Sequence, residues 1–177
     1  DAVVAAFASL ARKHRRTPML GRTLLQPATP LALGQKIAGW ASDIARAARR
    51  LDASFRETQV VQFGGPPGSL SALGEMAETV MVSLAKRLKL ELPAAPWFTQ
   101  RVRVAALAQD AALVVGALAK AARDISLMMQ VEVGEALPPL LKELDAVVAA
   151  FASLARKHRR TPMLGRTLLQ PATPLAL

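Results

Sequence analysis

Residues Val104–Ala119 read VAALAQDAALVVGALA, and within them only Gln109 and Asp110 are polar. No proline interrupts the stretch, and its Ala and Leu content favours helix. It lies in the longest predicted helix, about Thr99–Val131. A helix that is apolar nearly all round must be buried on every side. A small bundle does not achieve that alone, so a homo-oligomer formed through the long apolar helices is expected. The longest unbroken apolar run, Ala111–Ala119, has nine residues, against the ~20 of a spanning helix. No membrane partner is therefore expected.

Working outward, Pro93 and Pro96 break the chain before this helix. A helix over about Leu70–Leu88 precedes them, with Leu73, Ala77, Val80/Met81, Leu84 and Leu88 on one face and Ser69 as N-cap. Gly64–Gly68 predicts a tight turn. It lacks the G-K-S/T ending of a phosphate loop, and its two prolines remove donors. Thr58–Phe63 is a short apolar stretch compatible with extended structure. A helix over about Leu31–Phe55 carries Leu33, Ile37, Trp40, Ile44, Ala47, Leu51 and Phe55 at bundle-seam spacing. Thr17–Pro30, punctuated by Pro18, Gly21, Pro27 and Pro30, predicts a connector. Asp1–His14 predicts a helix with Val4, Phe7 and Leu10/Ala11 on one face. Beyond Pro138 and Pro139, the last predicted helix covers about Leu140–His158.

Residues 145–177 repeat residues 1–33 without one difference. Natural repeats drift, so perfect identity argues for recent duplication or deliberate construction. The first copy runs on into the next helix at Gly34, and the second has a helical lead-in at Leu137–Leu144. This is the arrangement of a permuted or overlap-ended chain, whose copies would compete for one slot or fill equivalent slots in neighbouring chains. Each copy carries +4, and the 111 residues between them supply +2 of the overall +10. The basicity is thus mostly a product of duplication. No aromatics interleave Arg12–Arg16 or Arg156–Arg160, so a nucleic-acid partner is not expected. Hydrophobic residues make up 52% and aromatics 4%, a mix that suits a helix bundle. With no cysteine and no basic, apolar leader, a cytoplasmic location is the default expectation.

Four segments carry a family resemblance. Gly21-Arg22-Thr23-Leu24-Leu25-Gln26-Pro27-Ala28-Thr29-Pro30 resembles the G-R-T-x-x-Q-x-A-x-P segment of the fumarase/aspartase superfamily. Gln62-Phe63-Gly64-Gly65 with Gly68-Ser69-Leu70 is similar to its Q-F-G-G-A-x-G-x-L stretch. Pro96-Trp97-Phe98-Thr99-Gln100-Arg101 resembles P-W-H-T-Q-R. Asp124–Gln130 with Val133-Gly134-Glu135 resembles D-I-x-L-M-x-Q-x-E-x-G-E. The last three sit closest to the 3-carboxy-cis,cis-muconate cycloisomerase branch. The resemblance implies an all-α, long-helix bundle like the superfamily's central domain. It also implies a core shared among subunits, and proton abstraction beside a carboxylate.

The departures bear on that chemistry. The family's histidine positions after the connector Thr are Leu24 and Pro27, and its histidine before T-Q-R is Phe98. The acidic residue after Q-R is Val102. The G-S-S-x-M-P-x-K-x-N-P loop, with the family's catalytic Ser and a substrate-binding Lys, does not follow Glu135. The family's N- and C-terminal regions are missing too. No catalytic residue, cofactor or metal ligand is therefore expected. Thr23, Gln26, Gln100 and Arg101 remain, by resemblance, as carboxylate-binding residues for a small dicarboxylate. Connector and cap hydrogen bonding is their simpler reading. His14 and His158, with no carboxylate at short spacing, read as surface residues at helix ends. The residues predict one helical-bundle domain over 1–177: an engineered or truncated scaffold derived from a cycloisomerase-like enzyme, catalytically silent, whose overlapping ends direct self-assembly. The alternative is a cycloisomerase or lyase fragment with residual activity or binding.

Overall fold

A computed structural model describes residues 2–24, 26–65 and 68–134, together with Lys142, Glu143, Asp145 and Ala149. Four α-helices dominate it: α1 (Ala2–Lys13), α2 (Leu33–Thr58), α3 (Ala77–Leu88) and α4 (Val102–Met128). Residues Pro18–Thr23 (β1) and Gln26–Ala32 (β2) form an antiparallel hairpin. The expected helix at Leu140–His158 and the second copy of the repeat lie almost wholly outside the described residues.

The hairpin corrects the expected connector. Prolines argue against strands because they cannot donate to a ladder. In a two-stranded hairpin both strands are edges, so Pro18, Pro27 and Pro30 are accommodated in the pairing. The register slips between Leu20 and Arg22, leaving Gly21 at a bulge. A Cβ on Gly21 would collide with the Thr29 carbonyl.

Contacts divide the chain into two units. The first comprises Asp1–Ala45 and Ala119–Leu177. Val3, Phe7 and Leu10 of α1 are buried in it, as are Leu33, Ile37, Trp40 and Ile44 of α2. Val3 leads the α1 face, and the expected Val4 is only half-buried. The Phe7 ring meets Trp40 edge-on at 6.0 Å between centroids, a geometry worth about 0.5–1.5 kcal/mol beyond burial. The Trp40 indole donates to Asp124 at 2.8 Å, and Lys120 pairs with the same carboxylate. Gly34 enters α2 where α1 ends. Its amide donates to the His14 carbonyl at 2.9 Å, and a Cβ there would stand 2.8 Å from the Arg15 Cα.

The second unit is Arg46–Leu118. Here Asp110, buried on α4, accepts from Ser54 Oγ at 2.8 Å and from Arg50 Nε at 2.9 Å. The expected extended stretch pairs as one parallel bridge, Val60 with Glu91. The helix predicted from Leu70 begins instead as a 3₁₀ segment, Ser71–Met76. Left-handed Leu70, not Ser69, precedes it, with no side-chain cap. Gly74 breaks the helical dihedrals before α3. On α3 only Ala85 is buried, and the expected face residue Leu88 is exposed.

α4 departs most from expectation. Of its residues, Asp110, Ala121 and Met128 are buried, whereas Leu113 and Val115 remain 44% and 50% exposed. Among the described residues it is the one helix long and apolar enough to cross a membrane by length and composition.

Two outcomes follow from this packing. Replacing Gly34 with Ala should destabilise the fold by about 1–3 kcal/mol, read as a lower urea midpoint in circular dichroism. An unchanged midpoint would contradict the close approach. The second concerns acid. Ser54, then Arg50, hold the Asp110 carboxyl below its ordinary value of 3.8 by hydrogen bonding, against a smaller opposing effect of burial. The unfolded chain then binds this proton at higher pH than the folded one, so stability is present above the ordinary carboxylate range and lost below it. Unfolding midpoints should be level above about pH 5 and fall with acidification. Asp110→Asn should flatten part of that fall.

Candidate functional site

The hairpin tip carries two of the sequence-predicted binding residues. Thr23 pairs with Gln26 across the turn, and both are exposed. Between them Leu24 is left-handed at φ 50° and 94% exposed. A non-glycine residue in that region costs about 1–2 kcal/mol, and an exposed leucine gains no burial to offset it. Backbone strain of this kind is characteristic of functional turns. Here it presents a leucine where the resemblance places histidine, so the tip holds polar side chains and no proton carrier.

Gln100 and Arg101 lie in the second unit, just before α4. Thr99 donates to the Gln100 side-chain carbonyl at 3.2 Å. The Arg101 and Arg103 guanidiniums stand over the Trp97 ring at 5.9 and 5.4 Å, within cation–π range. Trp97 is buried, and its indole donates to the Val61 carbonyl at 2.9 Å. Val61 is fixed in turn by backbone bonding to Glu91.

This anchoring brings two sequence motifs together. The Gly64 carbonyl accepts from Leu70 N at 3.0 Å and closes the glycine turn. Gly68, at φ 81°, lies so near Pro96 that a Cβ would stand 2.9 Å from the proline Cβ. Gln62–Gly64 and Pro96–Phe98 therefore line one cavity of about 140 Å³, with Met81 on its wall. Its aromatic lining is Phe63, Trp97 and Phe98. The histidine position of the P-W-H-T-Q-R segment thus contributes a hydrocarbon ring. Such a cavity can hold an apolar group beside two cations, but no group in its lining titrates near neutrality.

One polar cluster was not legible in the sequence. His14 Nε2 lies 3.0 Å from Glu143, His14 Nδ1 lies 3.1 Å from Thr17 Oγ1, and Lys13 pairs with the same glutamate. His14 is therefore half-buried and paired, at the helix end where an unpaired surface residue is expected. Its carboxylate partner is 129 residues away, which no short spacing reveals. Hydrogen bonds from Lys13, then His14, hold the Glu143 carboxyl below its usual value, against a lesser effect of burial. Both imidazole nitrogens have partners, so the cluster clamps the end of α1 and leaves neither nitrogen for a substrate. Among the described residues, no group of three or more His, Cys, Asp or Glu could hold a metal.

Residues 1–137 match the family described as Lyase. The chain is 42% identical over 170 residues to the 3-carboxy-cis,cis-muconate cycloisomerase of Bradyrhizobium diazoefficiens, covering 96% of this chain and 36% of that protein. It is 34% identical over 180 residues to the nitrosuccinate lyase of Streptomyces davaonensis, covering 97% and 36%. Among solved structures, the 3-carboxy-cis,cis-muconate lactonizing enzyme of Pseudomonas putida superposes with a TM-score of 0.73 at 43% identity, over 94% of this chain and 38% of that one. The fumarate lyase of Mesorhizobium sp. BNC1 gives 0.73 at 42% identity, over 89% and 37%. The chain thus spans little more than a third of the length of these relatives. The family match includes the first copy of the repeat and ends before the second.

Strain at the hairpin tip predicts a gain on release. Leu24→Gly should stabilise the fold by up to about 1 kcal/mol, the relief of the left-handed leucine partly offset by glycine's greater unfolded freedom. A lower urea midpoint in this variant would remove the case for strain.

Proposed function

The chain belongs to the fumarase/aspartase superfamily of lyases, and from that premise we propose that it is a helical core of the 3-carboxy-cis,cis-muconate cycloisomerase type. In this reading it is catalytically silent and assembles with sister chains through α4. The observation that carries the reading is the exposed apolar surface of α4. Leu113 and Val115 face solvent in the single chain, on a helix of 27 residues. Covering such surface stabilises by roughly 25 cal/mol per Å² of apolar area removed from water. Sister chains fit that role better than lipid, because α4 holds Asp110 and Asp124 in hydrogen bonds with α2 residues. The perfect 33-residue repeat supports recent duplication or construction and gives the chain a further means of self-assembly.

Elimination beside a carboxylate needs a positioned acid or base. Leu24, Pro27 and Phe98 offer none at the positions named by the resemblance, and His14 is held by Thr17 and Glu143.

A second reading is retained binding of a small dicarboxylate, either by Gln100 and Arg101 in the second unit or by Thr23 and Gln26 at the hairpin tip of the first. The placement of Arg101 and Arg103 over Trp97, beside the aromatic cavity, favours it. Guanidiniums bind carboxylates through paired N–H donors, and this requires no proton transfer.

Light scattering of the purified chain should give a multimer, and Leu113→Glu with Val115→Glu should dissociate it. A folded monomer in the unaltered chain at dilute concentration would overturn the assembly reading. Incubation with 3-carboxymuconate should show no lactone formation above buffer. Turnover by the purified chain would overturn the silent reading.

A further inference from the structure

The sequence contains a second occupant for the place that α1 and the hairpin fill. Residues 145–177 are identical to residues 1–33, so Val147, Phe151 and Leu154 correspond to Val3, Phe7 and Leu10. Val3, Phe7 and Leu10 are the buried residues of α1, and Phe7 packs edge-on against Trp40 of α2. A packed core selects by volume and shape. Identical segments are indistinguishable to it.

We propose that residues 145–177 of one chain dock on α2 of a second copy of this chain, replacing that copy's own residues 1–33. The inference rests on the self-assembly reading for the nature of its partner, but it uses a different surface from the exposed apolar residues of α4.

The choice of a second chain comes from Glu143. It lies two residues before Asp145 and contacts Lys13 and His14 at the C-terminal end of α1. A docked copy has to start at the opposite end, where Ala2 stands. A helix of 12 residues is about 18 Å long. While this contact holds, the second copy starts at the wrong end of its own chain's slot. Docking on a neighbour leaves the donor's Glu143 contact intact.

The resident copy keeps an advantage. It continues directly through the hairpin into α2, with the Leu33 amide donating to the Thr17 carbonyl at 2.8 Å. Its effective concentration at the slot is therefore high. Exchange is a minor state of the unaltered chain and becomes dominant when the first copy is weakened.

Full-length Phe7→Ala, Phe151→Ala and the double variant separate the outcomes. Unfolding is followed by circular dichroism over about a hundredfold range of protein concentration, with light scattering alongside. Phe151→Ala should match the unaltered chain. The double variant should lose roughly a hundredfold or more in its folding equilibrium constant, as expected for a buried Phe cut to Ala. Phe7→Ala should recover most of that loss as concentration rises, with added multimer. The proposal is overturned if Phe7→Ala tracks the double variant at every concentration. It is also overturned if the double variant is as stable as the unaltered chain, or if rescue is independent of concentration, which would place the occupant in the same chain. Should the Phe variants not fold, Leu10→Ala and Leu154→Ala supply the same comparison. Loss of the α4 assembly by Leu113→Glu with Val115→Glu touches neither copy, so the two readings fail separately.

Discussion

The rest of this structure depends on how the surface of α4 is covered. Water is expelled from it on the side that meets α2, where Ala121 and Met128 are buried in the first unit. That helix carries two carboxylates, and each has partners. Asp124 is met by Trp40 and Lys120, and Asp110 by Ser54 and Arg50. Each pairing lies within its own unit. An apolar seam alone tolerates sliding. Hydrogen-bonded polar groups fix register, because a shifted pairing leaves a buried carboxylate without donors.

Close backbone approach governs the remaining architecture. At Gly34 the start of α2 lies against the end of α1, and at Gly68 the glycine turn lies against Pro96. The first approach orients the hairpin bearing Thr23 and Gln26. The second forms the cavity between the Q-F-G-G and P-W-F-T-Q-R segments. That cavity is lined by Pro96 and Trp97 of the P-W-F-T-Q-R segment, while Phe98 makes its wall hydrocarbon. The arrangement favours holding an anion beside aromatic surface over moving a proton, which underlies the proposed catalytic silence.

Much of the helical pattern was legible. The three-four spacing over Leu33, Ile37, Trp40, Ile44 and Ala47 marks residues that are all buried. The hairpin was not legible because prolines usually signal loops, and their tolerance depends on both strands being edges. Val3 rather than Val4 leads the α1 face because neighbouring positions differ by about 100° around a helix, and only the packing partner selects between them. The cap at Ser69 failed because the segment after it begins as a 3₁₀ turn from left-handed Leu70. The candidate binding residues were legible only by resemblance. Their geometry, with two guanidiniums over Trp97, required the folded loop.

The sequence by itself determined the helical class, the family, the identity of the two 33-residue copies and the absence of histidine at Leu24, Pro27 and Phe98. These are properties of residue type and order, which folding does not alter. Tertiary structure decided which carboxylate met which donor, that His14 was clamped by Glu143, and that Leu113 and Val115 of α4 stayed uncovered in one chain. Such outcomes depend on distances between residues remote in sequence, set by packing and desolvation of the whole rather than by local preference.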